Sequence, residues 1–234
     1  MGLTIFIPVY NEEKLLVPNT KKLIEFLDKL KTEYEIILGN GGSSDNTVEL
    51  GKKLEKRFKQ IKFFSINKRG VGLAFKKAVS MSKYENIISV DMDLSINLDF
   101  IPRAYKLLKN YDIVIGSKKT GKQKRSWIRL LPSNVFIFLT RILLNLEFND
   151  YSIAAKAYRK NILLKYSNRI DHGTSYVIDL ICFAKLDKKK IIEIPVECFD
   201  NRKSRFNLLH EIFYRFKNLV KLWVEVSLRI KPKI

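Results

Sequence analysis

Ile87-Ile88-Ser89-Val90-Asp91-Met92-Asp93 is an apolar run that closes on two carboxylates, and its reading decides the fold. A short run rich in β-branched residues suits a strand covered on both faces, the kind found in parallel sheets. Residues two apart in a strand point to the same side, so Asp91 and Asp93 can share one hard divalent cation, which takes oxygen ligands. Alone, the pattern also describes a plain strand end followed by a turn in Leu94-Ser95-Ile96-Asn97. The company it keeps along the chain separates the two readings.

Similar apolar runs occur at residues 3–9, 35–38, 61–66, 86–90 and 112–115, with helix-like stretches between them near 19–31, 46–58, 72–83 and 99–109. Short apolar strands alternating with helices predict an α/β fold, a mainly parallel sheet with helices on both faces. Asp45-Asn46 with Glu49 behind them signals a helix start, as does Pro102 in the first turn of the fourth helix. Ligands of such sheets bind at the carboxyl ends of strands. Polar residues collect there: Tyr10-Asn11-Glu12, Asn40-Gly41-Gly42-Ser43, Lys68-Arg69-Gly70, Asp91-Met92-Asp93 and Gly116-Ser117-Lys118. Gly70 and Gly72 either permit a tight turn before a helix or let the backbone approach a phosphate at the helix N-terminus.

The second half begins with a basic loop over 118–129 and an apolar segment around 135–146. A strand is expected at 154–158, a helix near 174–186 and a strand at 190–196. From 206 to 229 the periodicity is helical, with Leu209, Ile212, Phe213, Phe216, Leu219, Val220, Trp223 and Val226 on one side and Arg215, Asn218, Lys221, Glu225 and Arg229 on the other. This helix either packs on the body or lies in a membrane interface with its cationic face toward anionic lipid. Trp127 and the segment 136–138 suit a core, or an interface beside the basic loop.

With 234 residues and 46% hydrophobic content, the chain can bury a real core and is not a disordered polypeptide. Lys and Arg total 44 against 24 acidic residues, a net charge of +20 that calls for an anionic partner. No DNA or RNA recognition motif appears and the basic residues are scattered, so a nucleic-acid partner is not expected. Cys182 and Cys198 lack metal-ligand spacing and read as reduced core residues. His172 and His210 also lack ligand spacing and are assigned no chemistry. The start of the chain runs straight into a strand pattern, so no signal peptide is expected. The longest apolar stretch, 130–146, is interrupted by Pro132, Ser133, Asn134 and Arg141 and falls short of the roughly 20 residues of a spanning helix.

In order along the chain, the sequence resembles the family 2 glycosyltransferases of GT-A fold, most closely the polyprenyl-phosphate sugar synthases of the dolichol-phosphate mannose synthase type. The resemblance rests on Ile7-Pro8-Val9-Tyr10-Asn11-Glu12, Asn40-Gly41-Gly42-Ser43-Ser44-Asp45-Asn46-Thr47, Arg69-Gly70-Val71-Gly72-Leu73-Ala74, Asp91-Met92-Asp93-Leu94-Ser95 and Val114-Ile115-Gly116-Ser117-Lys118. It continues through Trp127-Ile128-Arg129 with Ser133 and Asn134, residues 150–159, and Glu193-Ile194-Pro195-Val196 leading to Arg202, Ser204 and Arg205. It implies a GT-A, Rossmann-like domain over 1–205 and an amphipathic basic C-terminal helix over 206–234.

The resemblance also implies roles. Pro8, Tyr10 and Glu12 line a nucleotide pocket, with Leu38 and Asn40 flanking the base and Met92 beside the donor. Asp91 and Asp93, with Ser95 as a third contact, hold Mg2+ or Mn2+ on the donor diphosphate. Lys118, Arg202 and Arg205 surround the phosphates, and Arg129 and Ser133 meet the phosphate of a lipid acceptor. The implied activity is inverting transfer of a hexose from a GDP-mannose or UDP-glucose type of nucleotide sugar to a polyprenyl or dolichyl phosphate. The implied location is the cytoplasmic inner face of a membrane, as a peripheral protein on an anionic surface. An alternative acceptor is a sugar hydroxyl on a glycan or glycolipid, with Asp150 or Asp179 as base; a catalytically silent nucleotide-sugar binder is a third reading.

The chain departs from the family pattern at several positions. Asn40 and Gly41 stand where two acidic residues are usual, so a base contact there passes to an amide. Ser95 stands where Gln is common, Ser152-Ile153-Ala154-Ala155 replaces Thr-Ser-Gly-Phe, and the usual Gly before Ser204 is missing.

Overall fold

The computed structural model describes residues 2–121, 127–199 and 208–230. Seven strands form one sheet: β1 Gly2–Val9, β2 Glu33–Asn40, β3 Ile61–Ser65, β4 Asn86–Ser89, β5 Ile113–Ser117, β6 Lys156–Arg159 and β7 Ile191–Pro195. The helices are α1 Leu16–Asp28, α2 Thr47–Arg57, α3 Val71–Met81, α4 Phe100–Leu107, α5 Trp127–Leu144, α6 Lys160–Lys165, α7 Tyr176–Leu186 and α8 Leu208–Ile230. The strand order is β3-β2-β1-β4-β6-β5-β7, and β6 alone runs antiparallel to its neighbours β4 and β5. The expected mainly parallel sheet with helices on both faces is present.

The period of two along β1 separates the layers. Leu3, Ile5, Ile7 and Val9 enter one core with Leu16, Leu23 and Leu27 of α1 and Phe100, Ile101 and Ala104 of α4. Phe6 enters the other core, where the Phe75 ring lies 5.3 Å from Phe6, 5.7 Å from Tyr158 and 5.2 Å from Tyr176. Rings at these separations add to the stabilisation from area alone. Both cysteines are free and buried, as expected.

Several boundaries differ from the sequence reading. α1 starts at Leu16 rather than near 19, because the amides of Leu15 and Leu16 both bond to the Glu12 carbonyl and close the turn early. α5 begins at Trp127, so Arg129 belongs to a helix and not to the basic loop; Pro132 sits within it, where its missing N–H removes one helical bond. α6 and a 3-10 turn at Ser167–Arg169 were not expected. α6 is six residues long, too short to show a helical period.

α8 packs on the body, one of its two expected placements. Leu219, Leu222 and Val226 enter the core, yet the polar side faces the body as well: Asn218 Nδ2 donates to Ser175 Oγ at 3.1 Å and Arg169 pairs with Glu225 at 2.6 Å. The outward side is mixed, with Phe213 at 73%, Val220 at 51% and Leu228 at 65% exposure beside the exposed Lys217 and Lys221. α5, which contacts α8 through Phe136 and Phe216, also exposes Phe138 and Ile142, although Phe136 and Ile137 are buried. Among the described residues no helix is long and apolar enough to cross a membrane.

Candidate active site

Sharp turns follow the carboxyl ends of β1, β2 and β4 along one edge of the sheet. Asn11, Gly42 and Leu94 have φ of 53°, 76° and 49°. Gly and Asn adopt this region readily, whereas a leucine held there is uncommon and marks a turn enforced by its surroundings. The β1 and β2 loops are tied together: Asn11 N–H donates to Ser43 Oγ at 2.8 Å, Ser44 N–H to Asn11 Oδ1 at 2.8 Å and Glu12 N–H to Thr47 Oγ1 at 2.8 Å. The Arg69 guanidinium lies 4.4 Å from the Tyr10 ring centroid. Pro8 and Tyr10 are partly exposed and Glu12 is buried. Leu38 is fully buried in the core, so only its backbone is left to flank a base. Asn40 is also fully buried.

At the end of β4, Asp91 and Asp93 are both partly exposed. Asp93 Oδ1 accepts from the Ser95 amide at 3.0 Å, and Leu94 N–H donates to the Asp91 carbonyl at 3.1 Å. Asn19 Nδ2 donates to the Met92 carbonyl at 2.9 Å, pinning the turn from α1, and the Met92 side chain is buried. Ser95 accepts from the Phe199 amide at 2.8 Å. Arg202 and Arg205 follow Phe199 closely in sequence but lie outside the described residues. So does the side chain of Arg129, while Ser133, four residues further along α5, is partly exposed.

Two carboxylates and a hydroxyl are hard oxygen donors, the right chemistry for Mg2+ or Mn2+. A set this small suits a cation that keeps further oxygens from a diphosphate or water. Among the described residues no group of three or more His, Cys, Asp or Glu is placed to hold a metal by itself.

Lys118 is 3% exposed, its Nζ lies 3.4 Å from Asp150 Oδ2, and it donates to Ser152 Oγ at 2.9 Å. Lys118 thus stands in a buried ion pair just after β5. Lys156, 1% exposed, lies nearby and donates to the Ile153 carbonyl at 2.8 Å. Burial disfavours the Asp150 carboxylate, but the Lys118 and Lys156 ammoniums outweigh it and hold the carboxyl well below the usual range. Burial pushes Lys156 down to about 8, against the pull of Asp150. The sequence reading missed Lys156, although a lysine within an expected buried strand was the available signal.

Residues 171–175 form the other wall. Gly72 N–H donates to the His172 carbonyl at 3.2 Å, and a Cβ on Gly72 would meet the Asp171 carbonyl oxygen at 2.0 Å. A Cβ on Gly70 would meet the His172 carbonyl oxygen at 2.9 Å, so Gly70 and Gly72 both serve the close approach of this loop to the start of α3. α8 clasps the same loop: Tyr214 donates to Asp171, Thr174 to Glu211 and Asn218 to Ser175. Behind it, Asn168, Arg169, Asp171, Asp179, Lys221 and Glu225 line a cavity of about 150 Å³. Burial, reinforced by the Asp171 carboxylate, pushes Asp179 up to about 7. Burial also keeps the Tyr176 phenol protonated, with Asp91 and Asp171 close enough to add to the effect.

Comparison with known proteins places this geometry. The model of glycosyl transferase family 2 matches residues 4–167. The undecaprenyl-phosphate 4-deoxy-4-formamido-L-arabinose transferase of Edwardsiella ictaluri is 28% identical over 212 residues, which cover 88% of this chain and 63% of that protein. The chain thus spans somewhat under two thirds of that relative's length. Mannosyl-3-phosphoglycerate synthase from Rubrobacter xylanophilus superposes with a TM-score of 0.72 at 12% identity, covering 100% of this chain and 77% of the other. Glucosyl-3-phosphoglycerate synthase from Mycobacterium tuberculosis, in complex with Mn2+, UDP and glucosyl-3-phosphoglycerate, gives a TM-score of 0.64 at 15% identity, covering 96% and 79%. At these identities the structural likeness speaks for the fold, a GT-A sheet with helices on both faces. With the family model spanning most of the sheet and its strand ends, the chain belongs to glycosyl transferase family 2.

Proposed function

We propose that the protein transfers a hexose, with inversion, from a nucleoside-diphosphate sugar to a polyprenyl phosphate on the cytosolic face of a membrane. The observation that carries the reading is the pair Asp91 and Asp93 just after β4, the neighbour of β1, whose end carries Tyr10 with Arg69 over its ring. The relative named for undecaprenyl phosphate supports the lipid-phosphate acceptor, and the Mn2+ and UDP complex of the M. tuberculosis enzyme supports the donor class. Pro8, Tyr10, Glu12 and Asn40 receive the nucleoside, and Asp91, Asp93 and Ser95 hold the divalent cation. When bound, that cation neutralises charge developing on the diphosphate leaving group. Arg202 and Arg205 add positive charge to the same phosphates; Arg129 and Ser133, one helical turn apart, hold the acceptor phosphate.

A phosphate acceptor arrives already ionised, so positioning matters more than a general base. Asp150 fits that division, because a carboxylate stabilised by two lysines is a poor proton acceptor. Residues 1–205 carry the transfer chemistry and 206–234 the membrane contact. The exposed Phe213, Val220, Leu228, Phe138 and Ile142 enter the interface, and the basic surface holds the anionic leaflet.

The test is incubation with radiolabelled nucleotide sugars, Mn2+ and polyprenyl phosphate, followed by organic extraction. Label in the organic phase is expected. Its absence, with nucleotide binding retained, would make the protein a silent binder. A hydroxyl acceptor is the second reading, favoured by one observation: Asp179, raised to about 7, has the affinity for protons that a base needs.

A further inference from the structure

Lys156 is a buried charge that the proposed transfer does not use, and the alternation along β4 shows where it stands. Ile88, Val90 and Met92 enter the core beneath α1 and α4, whereas Ile87 enters the other core, so Ser89 and Asp91 fall on the Ile87 side. The ladder holds this far, because Val90 N–H donates to the Phe6 carbonyl at 3.1 Å. β6 pairs Lys156 with Ser89, and directly opposed residues share a face. Lys156 and Asp91 therefore lie on one side of the sheet, one strand and two residues apart, with about 8 Å between their Cα atoms.

The charge of Lys156 is only partly matched. Lys118 has Asp150 at 3.4 Å, but among the described residues no carboxylate lies within 4.0 Å of Lys156, which donates to the Ile153 carbonyl. Glu193 is engaged by Asn149, which donates to it from both its backbone and its side-chain amide. Lys118, Lys156 and Asp150 are all buried, so one positive charge is left over where water does not reach. Burial lowers the Lys156 ammonium only to about 8, against the pull of Asp150, Glu193 and Asp91, so it is charged at pH 7. A buried charge is little screened and acts over such a distance.

This step rests on the reading of Asp91 and Asp93 as the metal and diphosphate site. A bare divalent cation there meets the ammonium as a like charge. A nucleoside diphosphate meets it as an opposite charge, and so does the complex of the two, which stays negative overall. We propose that the buried Lys156 ammonium, one strand from Asp91, biases the site so that the divalent cation enters with the donor diphosphate rather than before it. Lys156 touches neither ligand; it is a positioning residue that acts through its charge.

Calorimetric titration of the whole chain at pH 7 tests this, with Mn2+ alone, with UDP and GDP alone in EDTA, and with each diphosphate and Mn2+ together. Lys156→Met keeps the length of the side chain without its charge. It should bind Mn2+ about tenfold more tightly than wild type, and whichever diphosphate the wild type takes about tenfold more weakly. Lys156→Arg, which keeps the charge, should stay within about twofold of wild type on both. The opposite signs matter, because a damaged site loses both affinities. Both falling together, or either one unmoved, would overturn the proposal and leave the site standing. Folded wild type that takes no diphosphate even with Mn2+ would remove the reading beneath it as well. Lys156→Gln retains a donor for the Ile153 carbonyl and decides in place of a Met variant that does not fold. If neither folds, the charge serves the fold and the proposal falls.

Discussion

Asp93 and Asp150 are both carboxylates beyond the carboxyl ends of parallel strands, after β4 and beside the end of β5, and the molecule treats them in opposite ways. Asp93 sits partly exposed in a turn held by backbone bonds. Asp150 is 2% exposed and neutralised by Lys118 and Lys156. A carboxylate just past a strand end, in a turn built around it, can meet a cation carried by a substrate. One already surrounded by protein cations is part of the architecture. Asp179 lies between these cases: partly buried, facing a polar cavity, with Asp171 as a like-charged neighbour.

The comparison predicts effects that separate cleanly. Asp93→Ala should lower metal-dependent transfer by about 10³-fold or more, since several kcal/mol of charge stabilisation is lost, with an unchanged melting temperature. Normal turnover of the variant in a chelator would break the contrast at its first term. Asp150→Ala should act mainly on the fold, costing about 3–5 kcal/mol by stranding buried lysines, read as a drop in denaturation midpoint. A stable Asp150→Ala protein without activity would move Asp150 into the chemistry.

Gly72→Ala should cost about 1–3 kcal/mol, because the added methyl meets the Asp171 carbonyl and forces the loop away from α3. Asp179→Asn tests the intermediate case through pH. The folded carboxyl, raised to about 7, holds its proton above the usual carboxylate range. Its contribution to stability is thus present at low pH and lost as pH rises through about 7. The melting temperature of the variant relative to wild type should climb between about pH 4 and 7 and then level off. A flat difference would show that Asp179 is ordinarily solvated. The smallest effect on stability is expected on the outward face of α8: Phe213→Ser with Leu228→Ser should stay within about 0.5 kcal/mol of wild type, yet reduce flotation with acidic vesicles. Unchanged flotation would leave that stripe without a membrane role.

The same contrast explains what was legible in the sequence. β1 to β4 with their crossover helices could be read because buried parallel strands are continuous apolar runs, and their strand-end polar clusters stand out against them. The Asp91 and Asp93 turn was legible for that reason. The burial of Lys118 was not legible, because its partner Asp150 lies 32 residues later in the chain. The packed side of α8 was legible in Leu219 and Val226, but the bonds of its polar side to the loop around Asp171 and Ser175 are a tertiary partnership that periodicity does not encode. The glycines at 70 and 72 were noted, but the reason for them, the carbonyls of residues 171 and 172, lies a hundred residues away.

The central claim is that the acceptor is a phosphate and needs no protein base. Steady-state transfer to polyprenyl phosphate and to the corresponding polyprenol, measured with wild type and Asp179→Asn, tests it most directly. Transfer to the phosphate alone is expected, retained in Asp179→Asn at pH 8. Transfer to the alcohol that disappears in Asp179→Asn would contradict it and make the protein a hydroxyl glycosyltransferase with Asp179 as its base.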